Sequence, residues 1–313
     1  MLKTTMTLEE WRAAGRHFRY RGHEIFYQEG GQGPVLLCLH GFPTGSWDWH
    51  LIWPALTARF RVIAPDMIGL GFSAKPVGYG YCIHDQADLA EALMAHAGVG
   101  RAHLLACDYG DTVAQELLAR AAERRARGGE GLVIESACLL NGGLFPEAHH
   151  VRRIQRLLSS RFGWLFARMM SRGAIARAVA ATAGPVNPPS RRDVDAFWRL
   201  VRHNRGTRVL HKLARYVKEC CQHRDRWVAA IVDPSAEAPP IRLVSGYADP
   251  ASGRHMAARY RQLARAADVV SLDGVGHYPH LEDTVGVIDA LFAFHDAPRE
   301  TDRARGADGA PAC

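Results

Sequence analysis

The chain has 313 residues, 48% hydrophobic and 23% charged, with a formal net charge of +7, a make-up that excludes disordered and fibrous classes. No stretch approaches the roughly 18 uninterrupted apolar residues of a membrane span, and Met1-Leu2-Lys3-Thr4-Thr5 lacks a signal peptide's apolar segment, so a cytoplasmic protein is expected. Cys38, Cys82, Cys107, Cys138, Cys220, Cys221 and Cys313 are odd in number and lack CxxC or paired Cys/His spacing, which argues against a disulfide framework and a zinc site.

In chain order, His17 to Tyr20, a Gly turn and His23 to Gln28 predict a β-hairpin. The apolar strand Pro34 to Leu39 then runs into His40-Gly41-Phe42-Pro43, a loop with backbone N–H groups to offer. The spacing of Trp49, Trp53 and Leu56 predicts a helix over 47–60, and Arg61 to Ala64 a strand, followed by a loop in which Asp66 reads as a structural turn residue. An amphipathic helix is expected over 84–97. The strand ending Leu104-Leu105-Ala106-Cys107 leads through Asp108 into a helix over 112–127, and Leu132 to Leu140 is another strand. Alternating strands and helices imply a mostly parallel sheet covered on both faces.

That alternation stops at Asn141-Gly142-Gly143. From 144 to 240 the pattern is helical and basic, until Pro239-Pro240 marks a return to strands at Ile241 to Val244 and Asp268 to Leu272. A helix over about 283–295 closes the chain, and the tail from 297 to 313, rich in charge, Gly and Ala, is expected to be disordered. No internal repeat is evident. Between Val151 and Arg226 there are sixteen Arg and two Lys against four carboxylates, net +14, so the remainder carries −7. Such a segment can steer acidic substrates, make peripheral contact with an anionic surface, or simply present solvated helix faces. No recognised nucleic-acid-binding motif accompanies the charge.

Asp108 carries the chemistry. Small residues two before and two after it, Ala106 and Gly110, suit a sharp strand-to-helix turn that presents a nucleophile. Ser is the usual residue there, whereas a carboxylate is ionised at neutral pH and can displace a leaving group from an sp³ carbon, forming an alkyl-enzyme ester. Downstream, one strand ends in Ser245-Gly246-Tyr247-Ala248-Asp249 and the next leads to Gly274-Val275-Gly276-His277. The chain order is nucleophile, acid, histidine. Simpler readings compete: Asp108 as a helix cap, Asp249 before Pro250 as a turn residue.

Four strings, His40-Gly41-Phe42-Pro43-Thr44, Asp108-Tyr109-Gly110-Asp111-Thr112-Val113-Ala114-Gln115-Glu116-Leu117-Leu118, Asn141-Gly142-Gly143-Leu144-Phe145-Pro146-Glu147 and His277-Tyr278-Pro279-His280-Leu281-Glu282-Asp283, carry a resemblance. Through them the chain, from Trp11 to His295, resembles the α/β-hydrolases of the epoxide hydrolase and haloalkane dehalogenase branch, and within it the mesoderm-specific transcript group. The resemblance implies an α/β fold with a mostly parallel eight-stranded sheet flanked by helices. It places a core at 1–143 and 241–296 and an inserted helical cap at 144–240. It implies hydrolase activity but no particular substrate.

The expected catalytic residues are Asp108, Asp249 and His277, with an oxyanion hole from the backbone N–H groups of Phe42 and Tyr109. Tyr109 also reads as pocket lining, and His40 as a brace for the oxyanion loop. In related epoxide hydrolases cap tyrosines protonate the ring oxygen; Tyr216 is the one tyrosine between 144 and 240, so it is the candidate acid, with helix packing as the alternative. Trp47, with Trp49 and Trp53, reads as core and pocket wall. Dehalogenases typically place Trp after the nucleophile and a second halide donor in the oxyanion loop, where this chain has Tyr109 and Phe42. The usual His before the nucleophile is Cys107, read as a buried bystander, and the small residue three beyond is Asp111, a carboxylate that needs a partner. The reading is therefore an epoxide hydrolase-like enzyme acting on a small apolar molecule. Its rivals are a haloalkane dehalogenase-like or esterase-type hydrolase and a catalytically silent binding protein. No cofactor or metal is expected.

Overall fold

Eight strands form one sheet in the computed structural model, which describes residues 6–233, 235 and 237–297. The tail from 298 on lies outside them. The strands are β1 (Arg16–Tyr20), β2 (His23–Gly30), β3 (Val35–Leu39), β4 (Arg61–Pro65), β5 (Arg101–Cys107), β6 (Val133–Leu140), β7 (Ile241–Gly246) and β8 (Asp268–Leu272), in spatial order β1-β2-β4-β3-β5-β6-β7-β8. The β1–β2 and β2–β4 pairs are antiparallel and the rest parallel. In the parallel register Leu39 lies opposite Ala106, Cys107 opposite Leu140 and Gly246 opposite Leu272. The loops after β3, β5, β6, β7 and β8 therefore open at one edge, where ligands of such sheets bind.

The helices before the insertion are α1 (Leu8–Ala14), α2 (Trp53–Thr57), α3 (Ile83–His96) and α4 (Tyr109–Arg127). Alternate residues of β5 serve opposite layers, as strand pleating requires: Leu104 and Ala106 pack with Leu93 of α3 and Leu117 of α4, Leu105 and Cys107 with Trp49 and Leu56. Cys107 thus faces away from the α4 side, and burial pushes its thiol well above its ordinary pKa. The helix expected over 47–60 is instead a 3₁₀ turn at Ser46–Trp49 followed by α2. Pro54 has no N–H to continue the preceding turn, so the helix restarts around it. α4 begins at Tyr109, three residues earlier than expected, because a single residue makes the turn.

Between β6 and β7 the described residues contain helices and no strand: α5 (Arg153–Leu158), α6 (Gly163–Arg168), α7 (Arg172–Ala180), α8 (Arg191–Arg202), α9 (Leu210–Leu213), α10 (Tyr216–Gln222) and α11 (Arg224–Val232). This insertion is tied to α4 by Glu116, which accepts from Trp227 Nε1 at 2.8 Å and from Arg226 Nε at 2.9 Å. It is tied to the loop after β8 by the His277 N–H donating to Thr182 O at 2.9 Å. The chain ends with α12 (Arg254–Leu263), α13 (Pro279–Glu282) and α14 (Thr284–Asp296); α14 covers the sheet face opposite α4 through Val287 and Leu291.

Gly110 lets α4 start against the end of β3: a Cβ there would lie 2.1 Å from Leu39 O and 2.9 Å from His40 O, both backbone atoms that cannot step aside. Gly110→Ala is expected to lower unfolding free energy by about 1–3 kcal/mol, the usual cost of overpacking, as read from urea denaturation; an unchanged midpoint would contradict this close approach.

Candidate active site

Asp108 has φ +49° and ψ −110°, a conformation that an L residue adopts only when its surroundings hold it there. It occupies the N-cap position of α4, yet its side chain accepts no hydrogen bond from that helix, so helix capping does not explain it. Oδ2 accepts from the Phe42 N–H at 3.0 Å. Oδ1 lies 3.4 Å from the Tyr216 hydroxyl and 3.9 Å from His277 Nε2. The carboxylate thus faces a cavity of about 840 Å³ lined by Phe42, Asp108, Gln155, Leu158, Leu210, His277 and Tyr278, among others, within the size range of small-molecule sites.

The structure brings Asp108, Asp249 and His277 into one line. His277 Nδ1 donates to Asp249 Oδ2 at 2.8 Å. Asp249 is 2% exposed, and its remaining valences are filled by the Ser252 hydroxyl at 2.9 Å, Asn141 Nδ2 at 3.0 Å and the Ala251 N–H at 2.8 Å. Burial alone would raise its pKa, but His277 and these donors hold it well below the ordinary carboxylate range. For His277, burial favours the neutral ring, while attraction to Asp249, their hydrogen bond and the nearby Asp108 outweigh it and hold the pKa up at about 9.

Asn141 was not singled out from sequence. At φ +50° after β6, it donates to Gly246 O at 3.2 Å and Gly276 O at 3.3 Å as well as to Asp249, and accepts from the Gly246 N–H at 2.7 Å. One amide therefore joins the ends of β6 and β7 to the histidine loop. Glu282 acts alongside it, accepting from the N–H groups of Gly184 and Gly276, both at 2.7 Å, and Tyr278 at 3.0 Å. The Asn-Gly-Gly break and the buried Glu two residues beyond Pro279-His280 were the available signals, but nothing local in the sequence says what they touch.

The loop after β3 is braced from behind. His40 Nδ1 donates to Gly41 O at 2.8 Å, and its Nε2 accepts from the Met67 N–H at 3.0 Å, a tautomer fixed by its neighbours and kept neutral by burial. Asp48 Oδ2 accepts from Thr44 Oγ1 at 2.6 Å and the Gly41 N–H at 3.2 Å. Burial pushes its carboxyl up to about 8. Asp66 is the turn residue expected, accepting from the N–H groups of Ser46 and Phe72. Asp111 is fully buried; the Leu140 N–H donates to its Oδ1 at 3.4 Å, and burial pushes its carboxyl well above the usual carboxylate range. The Leu140 N–H is thus a partner for the carboxyl that the sequence reading required.

Two expectations about aromatics need correction. Trp47 is not pocket wall: it is 1% exposed, stacks on His50 at 4.0 Å and meets Trp11 edge-on at 5.7 Å, in the core outside the cavity. The Tyr109 ring is also core, 1% exposed and edge-on to Tyr216 at 4.9 Å, and it does not line the cavity. The Tyr109 N–H opens α4 and has no partner within the helix. Tyr216 reaches Asp108 with its hydroxyl, which accepts from Gln155 Nε2 at 3.2 Å, but it is not among the residues that line the cavity. The tyrosine that does line it, Tyr278, comes from the histidine loop and stacks on Phe197 at 6.0 Å.

Among the described residues one set of metal-type donors converges: Asp48, Cys107 and His280, all within 4.8 Å of one another behind the elbow. Burial holds the acid and thiol protonated and pushes the His280 imidazole down to about 3. These three groups are buried and uncharged, and neither ring nitrogen of His280 has a hydrogen-bond partner among the described residues.

With this geometry in view, the comparisons with known proteins are direct. A family model described as the alpha/beta hydrolase fold matches residues 34–284. The chain is 39% identical over 298 residues to the mesoderm-specific transcript homolog protein of Bos taurus, covering 92% of this chain and 87% of that protein. It is 35% identical to the putative hydrolase LipZ of Mycobacterium tuberculosis, covering 93% and 99%. Among solved structures, haloalkane dehalogenase DbeA from Bradyrhizobium elkani superposes with a TM-score of 0.73 at 22% identity, covering 90% and 96%, a likeness of fold.

The His277 pKa of about 9 lies above its ordinary 6.5. Its pairing therefore stabilises the fold fully below pH 6.5, and the contribution is lost as pH rises through about 9. Unfolding free energy should fall across that window by on the order of 3 kcal/mol, and Asp249→Asn should flatten the fall. Denaturation series at several pH values test this; a wild-type profile that is flat or rises would contradict the pairing.

Proposed function

The chain belongs to the α/β-hydrolase fold family, and from that membership we propose that it is a hydrolase that forms an alkyl-enzyme ester on Asp108 and cleaves it with water activated by His277. The observation that carries this reading is the setting of the Asp108 carboxylate. It turns away from α4, accepts from the Phe42 N–H at 3.0 Å and stands 3.9 Å from His277 Nε2. A carboxylate so placed can attack an electrophilic carbon in the cavity.

Ring opening of an epoxide suits the site best. As Asp108 Oδ1 forms its bond to carbon, the ring C–O bond breaks and the departing oxygen takes the proton of Tyr216, whose hydroxyl lies 3.4 Å from Oδ1 and is held by Gln155. The ester has lost the Asp108 charge that helped keep His277 protonated. The imidazolium consequently gives its proton up to the Tyr216 phenolate, which restores the acid, and becomes a base at the stage that requires one. It then removes a proton from water; the hydroxide adds to the ester carbonyl, and the N–H groups of Phe42 and Tyr109 hold the oxyanion, at about 3 kcal/mol per donor. Collapse expels the alkoxide, which takes the proton of the new carboxyl group to complete the diol; Asp108 is again a carboxylate and His277 again protonated, as at the start. Haloalkane cleavage fits less well, because Phe42 and Tyr109 supply no side-chain N–H to a leaving halide. Esterase chemistry would leave an anhydride on Asp108.

Turnover of a substrate epoxide in ¹⁸O-water should place label in Asp108, read by peptide mass spectrometry; multiple turnovers without label would rule out the covalent route. His277→Gln should slow turnover by about 10²–10⁴-fold and accumulate the alkylated Asp108 peptide. Tyr216→Phe should lower kcat for epoxides at least tenfold, with little change in KM; an unaltered kcat would remove Tyr216 as the acid.

A further inference from the structure

Helix α6 is built inside out for a surface helix. Its small residues Gly163 and Ala167 are buried, with a Gly163 Cβ only 1.8 Å from Leu158 O, while Trp164 and Leu165 face solvent and Phe166 is half-buried against the core. Trp164 is 47% exposed, Leu165 43% and Met169, one residue past its end, 68%; Phe162 just before it is 52% exposed, and Leu157 at the end of α5 is 42% exposed. Large apolar side chains gathered on one short stretch mark an interaction surface rather than ordinary exposure. The charge around them has one sign. From Ala148 to Arg192 the chain holds nine arginines and no Asp, Glu or Lys. Arg153, Arg156, Arg161 and Arg168 are exposed and form no salt bridge among the described residues. Arg161 lies over Phe162 and Arg168 over Trp164, at 4.7 and 5.5 Å from the ring centroids.

We propose that this face, residues 157–169, docks peripherally onto an anionic lipid bilayer. Aromatic and aliphatic tips inside a collar of arginine match the interface between headgroups and acyl chains: the apolar side chains enter, and the guanidinium groups stay level with the phosphates. The contact is peripheral, since no described helix is long and apolar enough to cross a membrane. A second copy of the chain is a poor occupant, because a two-fold contact would set arginine against arginine. The cavity lies directly behind the face: Leu158 and Met170 line it while their neighbours Leu157 and Met169 point outward. Docking would bring an apolar molecule dissolved in lipid next to its wall. The proposal stands on this surface alone and is independent of which residue is the nucleophile.

The test is flotation of the full chain with vesicles of phosphatidylcholine, alone or with phosphatidylglycerol. Binding should be at least about tenfold stronger to the mixed vesicles and should weaken with salt. Trp164→Ser with Met169→Ser, and separately Arg156→Glu with Arg161→Glu, should each cut it by about tenfold or more. Thermal unfolding should be unaltered in these variants, since all four side chains are exposed. The proposal is overturned if the wild-type chain stays with the soluble fraction, or if the serine variant binds like wild type, which would reduce the effect to charge adsorption. It is equally overturned if light scattering finds a dimer that the serine variant converts to monomer.

Discussion

The single-residue turn at Asp108 is the constraint on which the site depends. β5 and α4 are both long and well packed, and they meet with no loop between them. The chain can reverse there only by taking Asp108 to φ +49° and by bringing Gly110 against the carbonyls at the end of β3. That geometry lifts the side chain off the helix it precedes and aims it at the oxyanion loop. The strain is local, and the surrounding sheet and helix over-determine it.

Around that turn, the protein separates carboxylates by environment. Asp249 is kept charged by His277, Asn141, Ser252 and a backbone donor, whereas burial with fewer donors pushes the carboxyls of Asp48 and Asp111 well above the ordinary range. The same residue type thus meets opposite electrostatic surroundings within one site. His277 is poised between the charged pair, so its proton affinity depends on whether Asp108 bears a charge. A change of charge at Asp108 is thereby felt at the imidazole without any movement of the backbone.

The helical insertion contributes in two directions. Inward, it supplies Tyr216 and Gln155 over Asp108, and its residues Thr182 and Gly184 meet the histidine loop through His277 and Glu282. Outward, α6 presents what most surface helices hide. The outward face follows from the packing of α6: small residues beneath it allow close approach to Leu158 and α9, and Trp164 and Leu165 are left on the other side.

Much of this was legible in the sequence, because the signals are local. The hairpin, the alternating strands, α3 to within a residue, the order Asp108, Asp249, His277 and the basic character of residues 151–226 all follow from periodicity, turn residues and counting. Other features depend on residues far apart in the chain. Tyr216 stands over Asp108 across 108 positions, and Asn141 joins loops separated by more than a hundred. Trp47 and Tyr109 turned out to be core, although an aromatic beside a catalytic loop is as readily pocket wall. The charge on Asp48, Asp111 and Asp249 was likewise undecided. Residue types and local order determined which chemistry is available; only packing decided which groups meet and which keep their charge, since desolvation and contact are properties of the folded arrangement.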